Sequence, residues 1–591
     1  MRSAVRHNIR HGDIGDWVNR LDGTSLRAGK AAPGLFAAAG LIAAVTLAAR
    51  VFGFGRWLVF SQSVGTTCVG SVYQAANQLP NVVFEVAAGG ALAAVAVPVI
   101  AGQLAREDHL EATQTASALL TWALTVLVPL SLLMAAAAGP LSMLLVDTRS
   151  CSGSTELMAS MLVVFAPQMV LYGVGIVLSG VLQAHRRFLA ATVAPLLSSV
   201  VVMAAYLLYA TLAHGSGNDL ARLPASASTA LAAGTTLGVV ALSLPLLIPV
   251  HRAGIRLRLT WAFPDGVARR AGALAGAGLL ALVAQQCAVL VTLWVSQRRG
   301  GTGTLNVYTY VQAVYLLPYA VLAVPVAMSA LPTLAAASGR AAAASGPDQG
   351  AIERAQWTLA ASARAITVAT CAGAAVLFAI AAPTGAFFSA LDAGRHSPAG
   401  QQALAALPDA LSAFAPGLVG FGLAALLTRA LYAQGRPAVA GGLVALGWLI
   451  AAVVPLVLLR DDAGPRDTLQ SLGLASSGGM TVAAFGLFVA VYREWGAQAF
   501  RGLARSAVVA LGSGALAATA GRAIAGTVHP QGLAASAAVA VLVAIAVVTL
   551  CAVAIWVGDN ESARLVMAKI RGGTTERRAE RDDPKEMTRT R

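Results

Sequence analysis

Charged side chains stand inside otherwise apolar stretches of this sequence, and their chemistry gives the first indication of function. Arg50 and Arg56 lie in ARVFGFGRW (49–57), and Glu85 lies in QLPNVVFEVAAGGALAAVAVP (78–98). Arginine binds phosphate or diphosphate through paired hydrogen bonds. A glutamate in an apolar segment can take up a proton or a cation, or can hold two helices together in an ion pair. Arg50 and Arg56 are therefore candidate anion ligands, and Glu85 is a candidate coupling residue.

Uncharged hydrogen-bonding side chains extend this set. Asn77 and Asn81 precede Glu85 in the same part of the chain, and Gln312 and Tyr315 lie in a later apolar segment. Polar groups in such segments are costly unless they meet a partner or line a polar cavity. We expect them to line a cavity with Glu85. Hydrogen bonding between helices is the simpler interpretation of Gln312 and Tyr315, and both interpretations stay open here.

Glycine and proline mark where the helices that carry these groups could break. Arg50 and Arg56 are six residues apart and lie about 120° apart on a straight helix. A bend at Gly53 would bring both into one cavity. The other candidate hinges interrupt the second and eighth apolar segments; they are Pro80, Gly89, Gly90 and Pro318. Broken helices tend to line cavities, where freed carbonyl groups find partners, and a static kink is the alternative.

The composition identifies the elements that must position these residues. Of 591 residues, 57% are hydrophobic and 11% are charged, whereas a soluble protein carries about 25% charged residues. This excludes an ordinary cytosolic enzyme, a disordered chain and a secreted disulfide scaffold. The sequence contains no Walker A motif and no CxxC pair, so we expect neither ATP hydrolysis nor a metal or other cofactor. Four of the five cysteines lie in or beside apolar runs and are predicted to be small core residues.

The fold class predicted from these runs is an all-α polytopic membrane protein with about fourteen transmembrane helices. A span needs about 20 apolar residues. The predicted spans are 34–62, 68–101, 115–139, 157–184, 189–213, 228–250, 271–296, 304–336, 359–390, 405–432, 438–459, 471–492, 506–527 and 532–558. The predicted organisation is a basic cytoplasmic tail (1–33), a six-helix N-lobe (34–250), a six-helix C-lobe (271–492), two further helices (506–558) and a charged cytoplasmic tail (559–591).

The distribution of basic residues predicts the orientation in the membrane. The net charge is +15, and no nucleic-acid motif accompanies it. With an even number of spans both termini lie on one side. The segments on that side hold 29 of the 41 Lys and Arg residues, and the opposite loops hold 8. Since cytoplasmic loops carry the excess of basic residues, we expect both termini in the cytoplasm.

An internal repeat relates the two lobes. The fourth span, FAPQMVLYGVGIVLSGVLQAHRR (165–187), recurs with a constant offset as FAPGLVGFGLAALLTRALYAQGR (414–436) in the tenth. Six spans separate the two copies, and an even shift preserves direction. The lobes are therefore predicted to be parallel repeats about an axis along the membrane normal, which is a transporter architecture with the substrate site between the lobes.

These segments resemble a known family. ARVFGFGRW, QLPNVVFEVAAGGALAAVAVP and LLPYAVLAVPVAMSALP (316–332) are similar to MurJ/MviN, the lipid II flippases of the MOP exporter superfamily, in their actinobacterial form. The resemblance covers most of residues 34–500. It implies export of an undecaprenyl-diphosphate-linked peptidoglycan precursor by alternating access across the bacterial plasma membrane. It also implies a central cationic cavity to which Arg50 and Arg56 contribute. Membrane lipids and proteins of cell-wall synthesis or division are the further partners expected, and nucleic acid is not.

The chain departs from the family pattern at charged positions. The family's acidic residue after the first span falls on Ser71, and an arginine of the second span falls on Phe84. The arginine and glutamate of the eighth span fall on Ala313 and Leu316. The carboxylates of a sodium site found in some members have no counterpart in the seventh to twelfth spans. Diphosphate binding must then rest on fewer cations, with membrane potential or protonation of Glu85 as the driving force.

Three alternatives to a lipid II flippase stay open at this stage. Glu85 is compatible with a cation-coupled small-molecule exporter of the MATE type. The missing cavity charges are compatible with a non-transporting scaffold of the cell-wall machinery. A membrane-embedded glycosyltransferase would need an acidic residue on an outer loop close to the membrane, for which Asp147 and Asp392 are available.

Overall fold

The computed structural model describes residues 32–561 apart from 147–150, 265–266, 342–348, 395–396, 529 and 531, and it also describes Arg564. Within these residues all regular secondary structure is helical and no strand is present, which confirms the predicted fold class. Nearly all of both predicted tails lies outside the described residues.

The described part of the N-terminal half contains ten α-helices. They are α1 (Ala32–Ser63), α2 (Cys68–Phe84), α3 (Gly90–Leu104), α4 (His109–Ala136), α5 (Ala138–Leu145), α6 (Ser154–Phe165), α7 (Gln168–Ala184), α8 (Phe188–Ala213), α9 (Ala225–Ser243) and α10 (Leu247–Arg252). The π-helical turn Glu85–Gly89 joins α2 to α3, so residues 68–104 form one helical unit.

The C-terminal half repeats this plan. It contains α11 (Val267–Arg298), α12 (Thr304–Pro318), α13 (Val324–Ala341), α14 (Gln349–Ala379), α15 (Ala381–Leu391), α16 (Pro398–Ala405), α17 (Leu407–Phe414), α18 (Gly417–Ala433), α19 (Pro437–Leu458) and α20 (Pro465–Trp495). A second π-helical turn, Tyr319–Ala323, joins α12 to α13. Helices α21 (Leu503–Thr527) and α22 (Leu533–Gly558) follow and pack on α14 and α15.

Eleven helical stretches of the described chain are long and apolar enough to cross a membrane, or twelve if the pair formed by α16–α17 and α18, bent by 48°, is one span. The predicted count of fourteen is not confirmed. Neither α1 nor the unit 68–104 is among these stretches. In the second of these, Ala91 and Ala94 of α3 have side chains outside the described set, and Val95–Leu104 remains as a shorter apolar helix. Part of α1 consists of residues whose side chains lie outside the described set.

Small residues allow the helices to approach closely. In the C-lobe, a Cβ atom on Gly447 of α19 would lie 2.7 Å from the Gly479 carbonyl oxygen of α20. In the N-lobe, a Cβ atom on Gly180 of α7 would lie 2.7 Å from the Ala96 Cβ atom of α3. Such contacts bring backbones together where apolar side chains gain nothing by leaving lipid. The many glycine and alanine residues therefore allow close helix packing within each lobe.

An extended strap connects the lobes. Residues 255–264 have no helical structure and run along α4. The Thr260 amide donates to the Thr121 hydroxyl group at 2.9 Å, and the Arg258 amide donates to the Ser117 hydroxyl group at 3.2 Å. The Trp261 indole donates to Thr125 at 3.1 Å. A row of hydroxyl groups on α4 thus satisfies polar groups of the strap, which an apolar surface could not do.

The loops divide between two faces of the molecule. We call the face formed by loops 64–67, 299–303 and 392–397, of which 395–396 lie outside the described residues, the closed face. The opposite face carries loops 105–108, 185–187 and 434–436 and both ends of the described chain, and we call it the terminal face. The lobes contact one another differently at these two faces.

Candidate functional site

At the closed face, a polar layer joins the first loop of the N-lobe to the C-lobe. The Thr66 amide donates a hydrogen bond to Asp392 Oδ2 at 3.1 Å, and the Thr66 hydroxyl group donates to the same oxygen. Asn306 Nδ2 donates to the Gly65 carbonyl oxygen at 2.8 Å. Asp392 and Asn306 are fully buried. Because a buried carboxylate is stable only with its hydrogen bonds in place, this layer resists separation of the lobes.

Further hydrogen bonds continue the polar layer along α2. The Gly303 amide donates to the Ser71 hydroxyl group at 2.7 Å, and Gln297 donates to the Ser71 carbonyl oxygen at 3.1 Å. Gln74 donates to the Thr309 hydroxyl group at 3.3 Å. Ser71 stands where the resemblance places an acidic residue, and it still binds the amide at the start of α12.

An aromatic layer lies directly beneath the polar one. Phe60 of α1 has its ring centroid 6.3 Å from that of Tyr310 of α12. Tyr310 stacks on Phe388 of α15, with centroids 4.7 Å apart. All three rings are at most 1% exposed. We call the polar and aromatic layers together the seal, because they close the boundary between the lobes at this face.

Away from the seal, the N-lobe side of the boundary carries partly exposed polar groups. Gln74 is buried, and Asn77, Asn81 and Glu85 follow it on α2 and its π-turn at helical spacing. These residues share one face of the helix, since they recur at intervals of three and four. Asn81 is exposed, and Asn77 and Glu85 are half-buried. The structure therefore brings the three predicted cavity residues of the N-lobe into one row.

The C-lobe side carries the matching row. Gln312 and Leu316 lie three and seven residues after Thr309, on the face of α12 that meets Gln74 at the seal. Gln312 is half-buried and Leu316 is 39% exposed. We call the space between the two rows the cleft. It is closed by the seal at one end, and Asn81 and Leu316 are exposed beyond the seal.

Tyr315 does not face the cleft. It is 3% exposed and packs inside the C-lobe, with its ring centroid 5.6 Å from that of Phe414. It lies six residues after Thr309, on a different side of α12. The structure thus places Tyr315 away from the cleft, although it lines a cavity inside the C-lobe together with Gln312.

Glu85 begins the first π-turn. Its Oε2 atom lies 2.8 Å from the position that a Cβ atom on Gly89 would take, so Gly89 leaves room for the carboxylate. No Lys, Arg or His nitrogen in the described chain lies within salt-bridge distance of Glu85. The ion pair considered from the sequence is therefore absent within the described residues.

The predicted hinges fall at two kinds of position. Gly90 is a packing site between the lobes, since a Cβ atom there would lie 2.3 Å from Leu282 Cδ2 of α11. Pro80 lies inside α2, and Pro318 ends α12 just before the second π-turn. Each lobe therefore contains a π-turn shortly after its proline, at related places of the repeat. Such turns are rare and are frequently found at functional sites.

The two candidate arginines lie on one unbroken helix. Helix α1 continues through Gly53, so Arg50 and Arg56 remain about 120° apart around its axis and about 9 Å apart along it. Arg50 is exposed. The Arg56 guanidinium lies 5.1 Å from the Trp57 ring centroid, close enough for a cation–π contact. In this conformation the structure does not bring the two cations together.

The surroundings of Arg56 are polar but carry no carboxylate within salt-bridge distance in the described chain. It interacts electrostatically with the hydroxyl groups of Tyr73, Tyr172 and Tyr206. Its Nε atom is buried and has no hydrogen-bond partner among the described residues. A partly buried guanidinium that lacks an anion is well suited to bind one.

A disulfide bond corrects the sequence-based interpretation of the cysteines. Cys68, at the start of α2, is bonded to Cys151, in the loop before α6. Cys287 is exposed, whereas Cys371 and Cys551 are buried as predicted. Cys68 is 4% exposed, as predicted for a core residue, whereas the exposure of Cys287 contradicts the prediction. The bond itself was not predicted, because the two partners are 83 residues apart and no local spacing marks the pair.

Sequence reasoning also missed the role of Asp392. It was considered only as an acidic residue on an accessible outer loop. The structure buries it fully against Thr66, so this carboxylate is not available to a substrate at the closed face. Asp147, the other residue considered for glycosyl transfer, lies outside the described residues.

A groove borders the C-lobe beside the terminal helices. It has a volume of about 520 Å³ and lies between α14, α18, α20 and α21. Its walls are almost entirely apolar, and Phe378, Phe485 and Phe488 contribute the aromatic part. Arg522 of α21 lies at the edge of this region, 4.6 Å from the Phe378 ring centroid, and donates to the Ser412 hydroxyl group at 2.9 Å.

Two repeated helical lobes that meet at a seal on one face and carry polar rows beyond it have the architecture of polytopic membrane transporters. The family model of the lipid II flippase MurJ matches residues 60–559. The chain belongs to this family.

Individual relatives agree with this assignment. A probable lipid II flippase MurJ from Synechocystis sp. is 30% identical over 244 residues, which is 40% of this chain and 44% of the relative. The matched part therefore spans less than half of that protein. A solved structure of lipid II flippase MurJ in an inward closed conformation superposes with a TM-score of 0.64, covering 87% of this chain and 98% of that chain at 15% identity. A solved structure of an inward-facing MATE multidrug transporter of the MOP superfamily superposes with a TM-score of 0.58. It covers 76% of this chain and 94% of that chain at 15% identity. At such identities the structures show a shared fold.

Proposed function

We propose that this protein translocates the lipid-linked peptidoglycan precursor lipid II between the leaflets of the bacterial plasma membrane by alternating access. The observation that carries this proposal is the asymmetry of the lobe boundary. One end is closed by the seal, and the other holds the polar rows of the cleft. A transporter at rest in its inward-facing state has this arrangement, with its binding groups open to the side on which the precursor is made.

Two independent features support the proposed orientation of the protein in the membrane. Most basic residues of the loops and tails belong to the side of the termini, which the positive-inside tendency places in the cytoplasm. The disulfide between Cys68 and Cys151 lies at the closed face, and disulfides persist on the oxidising side of a membrane. We therefore place the terminal face inside and the closed face outside.

The diphosphate of the precursor is assigned to Arg56, with Arg50 as its second ligand once α1 or its neighbours move. Arg56 is partly desolvated and lacks a carboxylate partner, which favours a bidentate contact with phosphate. Outward movement of the bound anion is favoured by the membrane potential, at about 2.3 kcal/mol per elementary charge per 100 mV.

The polyprenyl tail is assigned to the apolar groove beside α21. Its walls are apolar and its position at the outer edge of the C-lobe lets a tail remain close to lipid. A lipid chain in this groove keeps its apolar surface away from water while the head group crosses in the cleft.

Complementation tests the function. The chain is expressed in a bacterium depleted of its own lipid II flippase, and precursor exposed on the outer leaflet is measured. Rescue with exposed precursor is the expected result. Failure of a well-expressed, correctly inserted protein would contradict the proposal.

One observation favours a second candidate function, a cation-coupled exporter of the MATE type. Glu85 faces the cleft and has no basic partner in the described chain, so it is free to take up a proton or cation. This candidate requires pH-dependent drug efflux that Glu85→Gln abolishes. Absence of efflux from cells that show precursor translocation would remove it.

A further inference from the structure

A second cavity lies inside the C-lobe, beside the cleft. It has a volume of about 200 Å³ and is enclosed by α11, α12 and α17–α20. Its polar lining comes from Gln285, Thr292, Tyr308, Gln312, Tyr315 and Ser476. No Asp, Glu, Lys, Arg or His is among the described residues that line it. The cavity therefore offers hydrogen bonds without a formal charge.

Several of these polar groups are free to bind an occupant. Gln312 Nε2 donates to the Tyr308 hydroxyl group at 3.1 Å, and that hydroxyl group also bonds Thr292. This fixes the Gln312 amide while leaving its carbonyl oxygen available. Gln285 and Ser476 make no hydrogen bond within the described part of the chain. Hydrogen-bond donors and acceptors from amide and hydroxyl side chains therefore line the cavity.

Aromatic rings form the remaining walls. Phe414 lies between Tyr308 and Tyr315, with centroids 5.9 and 5.6 Å away. Phe421 and Trp448 face the cavity with centroids 6.4 Å apart. A sugar ring has an apolar C–H face and a polar rim of hydroxyl groups. It matches a site that combines flat apolar walls with a few convergent polar groups.

The absence of charge among the described lining residues restricts which ligands the cavity can bind. An ion held at this depth without a counter-ion would pay a large desolvation penalty. A diphosphate, a carboxylate and a metal ion are therefore disfavoured, whereas a neutral polar group is not. The volume has room for one sugar ring and excludes a whole head group.

The mouth of the cavity opens on the cleft. Gln312 and Leu316 line the cavity and lie on the face of α12 that continues from Thr309. Leu316 is 39% exposed, so the wall at this point is reached from the cleft. A head group in the cleft could thus place one of its parts in the cavity.

We propose that this cavity binds one uncharged sugar ring of the precursor head group, while the diphosphate is held by the arginines of α1. The proposal rests on the proposed function for the identity of the head group. It assigns the two lobes different tasks: the N-lobe binds the charged part of the substrate and the C-lobe recognises its neutral part.

A binding measurement tests the cavity without any transport. The purified full-length protein is titrated with N-acetylglucosamine while its tryptophan fluorescence is recorded. We expect a saturable change that Trp448→Phe removes and that Gln312→Leu weakens about tenfold, as for the loss of one or two hydrogen bonds. The control Gln498→Leu changes an exposed amide at the terminal face and should bind normally. No response to the sugar, or a response to sodium chloride alone, would overturn the proposal.

A translocation measurement then separates this proposal from the proposed function. Proteoliposomes are loaded with either lipid II or undecaprenyl diphosphate, which carries no sugar. Gln312→Leu is expected to lose about tenfold of the preference for lipid II while retaining movement of undecaprenyl diphosphate. An unchanged preference would contradict the assignment of the sugar. A wild-type protein that moves neither lipid would contradict the proposed function. The binding measurement would then still show whether the cavity binds a sugar.

Discussion

The two ends of the lobe boundary use the same helices for opposite purposes. Near the closed face, α2 and α12 meet through Gln74 and Thr309. The side chains of Ser71, Asn306 and Thr66 nearby each bond a group of the other lobe. A few turns away on the same helices, Asn81 is exposed and Gln312 is half-buried, and neither bonds a group of the other lobe in the described chain. Polar residues along one helix can thus act as a gate where the lobes touch and as a binding surface where they separate.

This comparison predicts that seal variants shift the conformational equilibrium whereas cleft variants change substrate handling. The largest effect is expected at Asp392. Asp392→Ala removes the buried acceptor of two hydrogen bonds and leaves the Thr66 groups unpaired, which costs about 1.5–3 kcal/mol. The closed population should fall by about 10- to 100-fold. Spin-label distances between the loops of the closed face measure this shift.

The control for Asp392 is Asp462→Ala. Asp462 also lies in a loop at the closed face, but it pairs with Arg460 on the surface, where both side chains are more than 80% exposed. Such a pair contributes little to stability. Equal distance distributions for Asp392→Ala and the wild type would show that the polar layer does not hold the lobes together.

The next largest effect is expected on substrate translocation, for variants of the arginines on α1. Arg56→Ala removes the guanidinium assigned to the diphosphate, and precursor translocation should fall about tenfold or more, as expected for a charge-assisted hydrogen bond. The spin-label distances at the closed face should not change. Arg50→Ala should also reduce translocation, and normal rates in both variants would remove the diphosphate assignment.

The smallest effect is expected where the seal becomes the cleft. Gln74→Leu removes one neutral hydrogen bond, to Thr309, worth about 1 kcal/mol. We expect the closed population to decrease about fivefold. Thr309→Val removes the same bond from the other lobe, so the double variant should show a clearly non-additive effect. Additive effects would mean that the two side chains act separately.

Much of the fold could be predicted from the sequence, because hydropathy and repeated motifs report local properties. The helical class and the two repeated lobes follow from apolar runs and from Phe165 and Phe414 at equivalent positions. The π-turns could not be predicted from Pro80 and Pro318 alone. They depend on how the helix packs after the proline, and they begin at different distances from it in the two lobes.

The candidate site was predictable in part. The row of Asn77, Asn81 and Glu85 follows from helical spacing once α2 is known to face the other lobe. The seal was not predictable, since Thr66 and Asp392 are 326 residues apart and neither lies in a recognisable motif. Burial turns an ordinary loop aspartate into a lobe-to-lobe contact, and burial is a property of the whole fold.

The bond between Cys68 and Cys151 has a consequence for the order of biosynthesis. The first cysteine begins α2 and the second follows α5. Closure of the bond must therefore wait until the intervening helices have been inserted and both loops have crossed the membrane. On the proposed orientation the bond forms on the outer side of the membrane, where disulfides persist. It then ties the start of α2 to the loop before α6 only after both have reached that side.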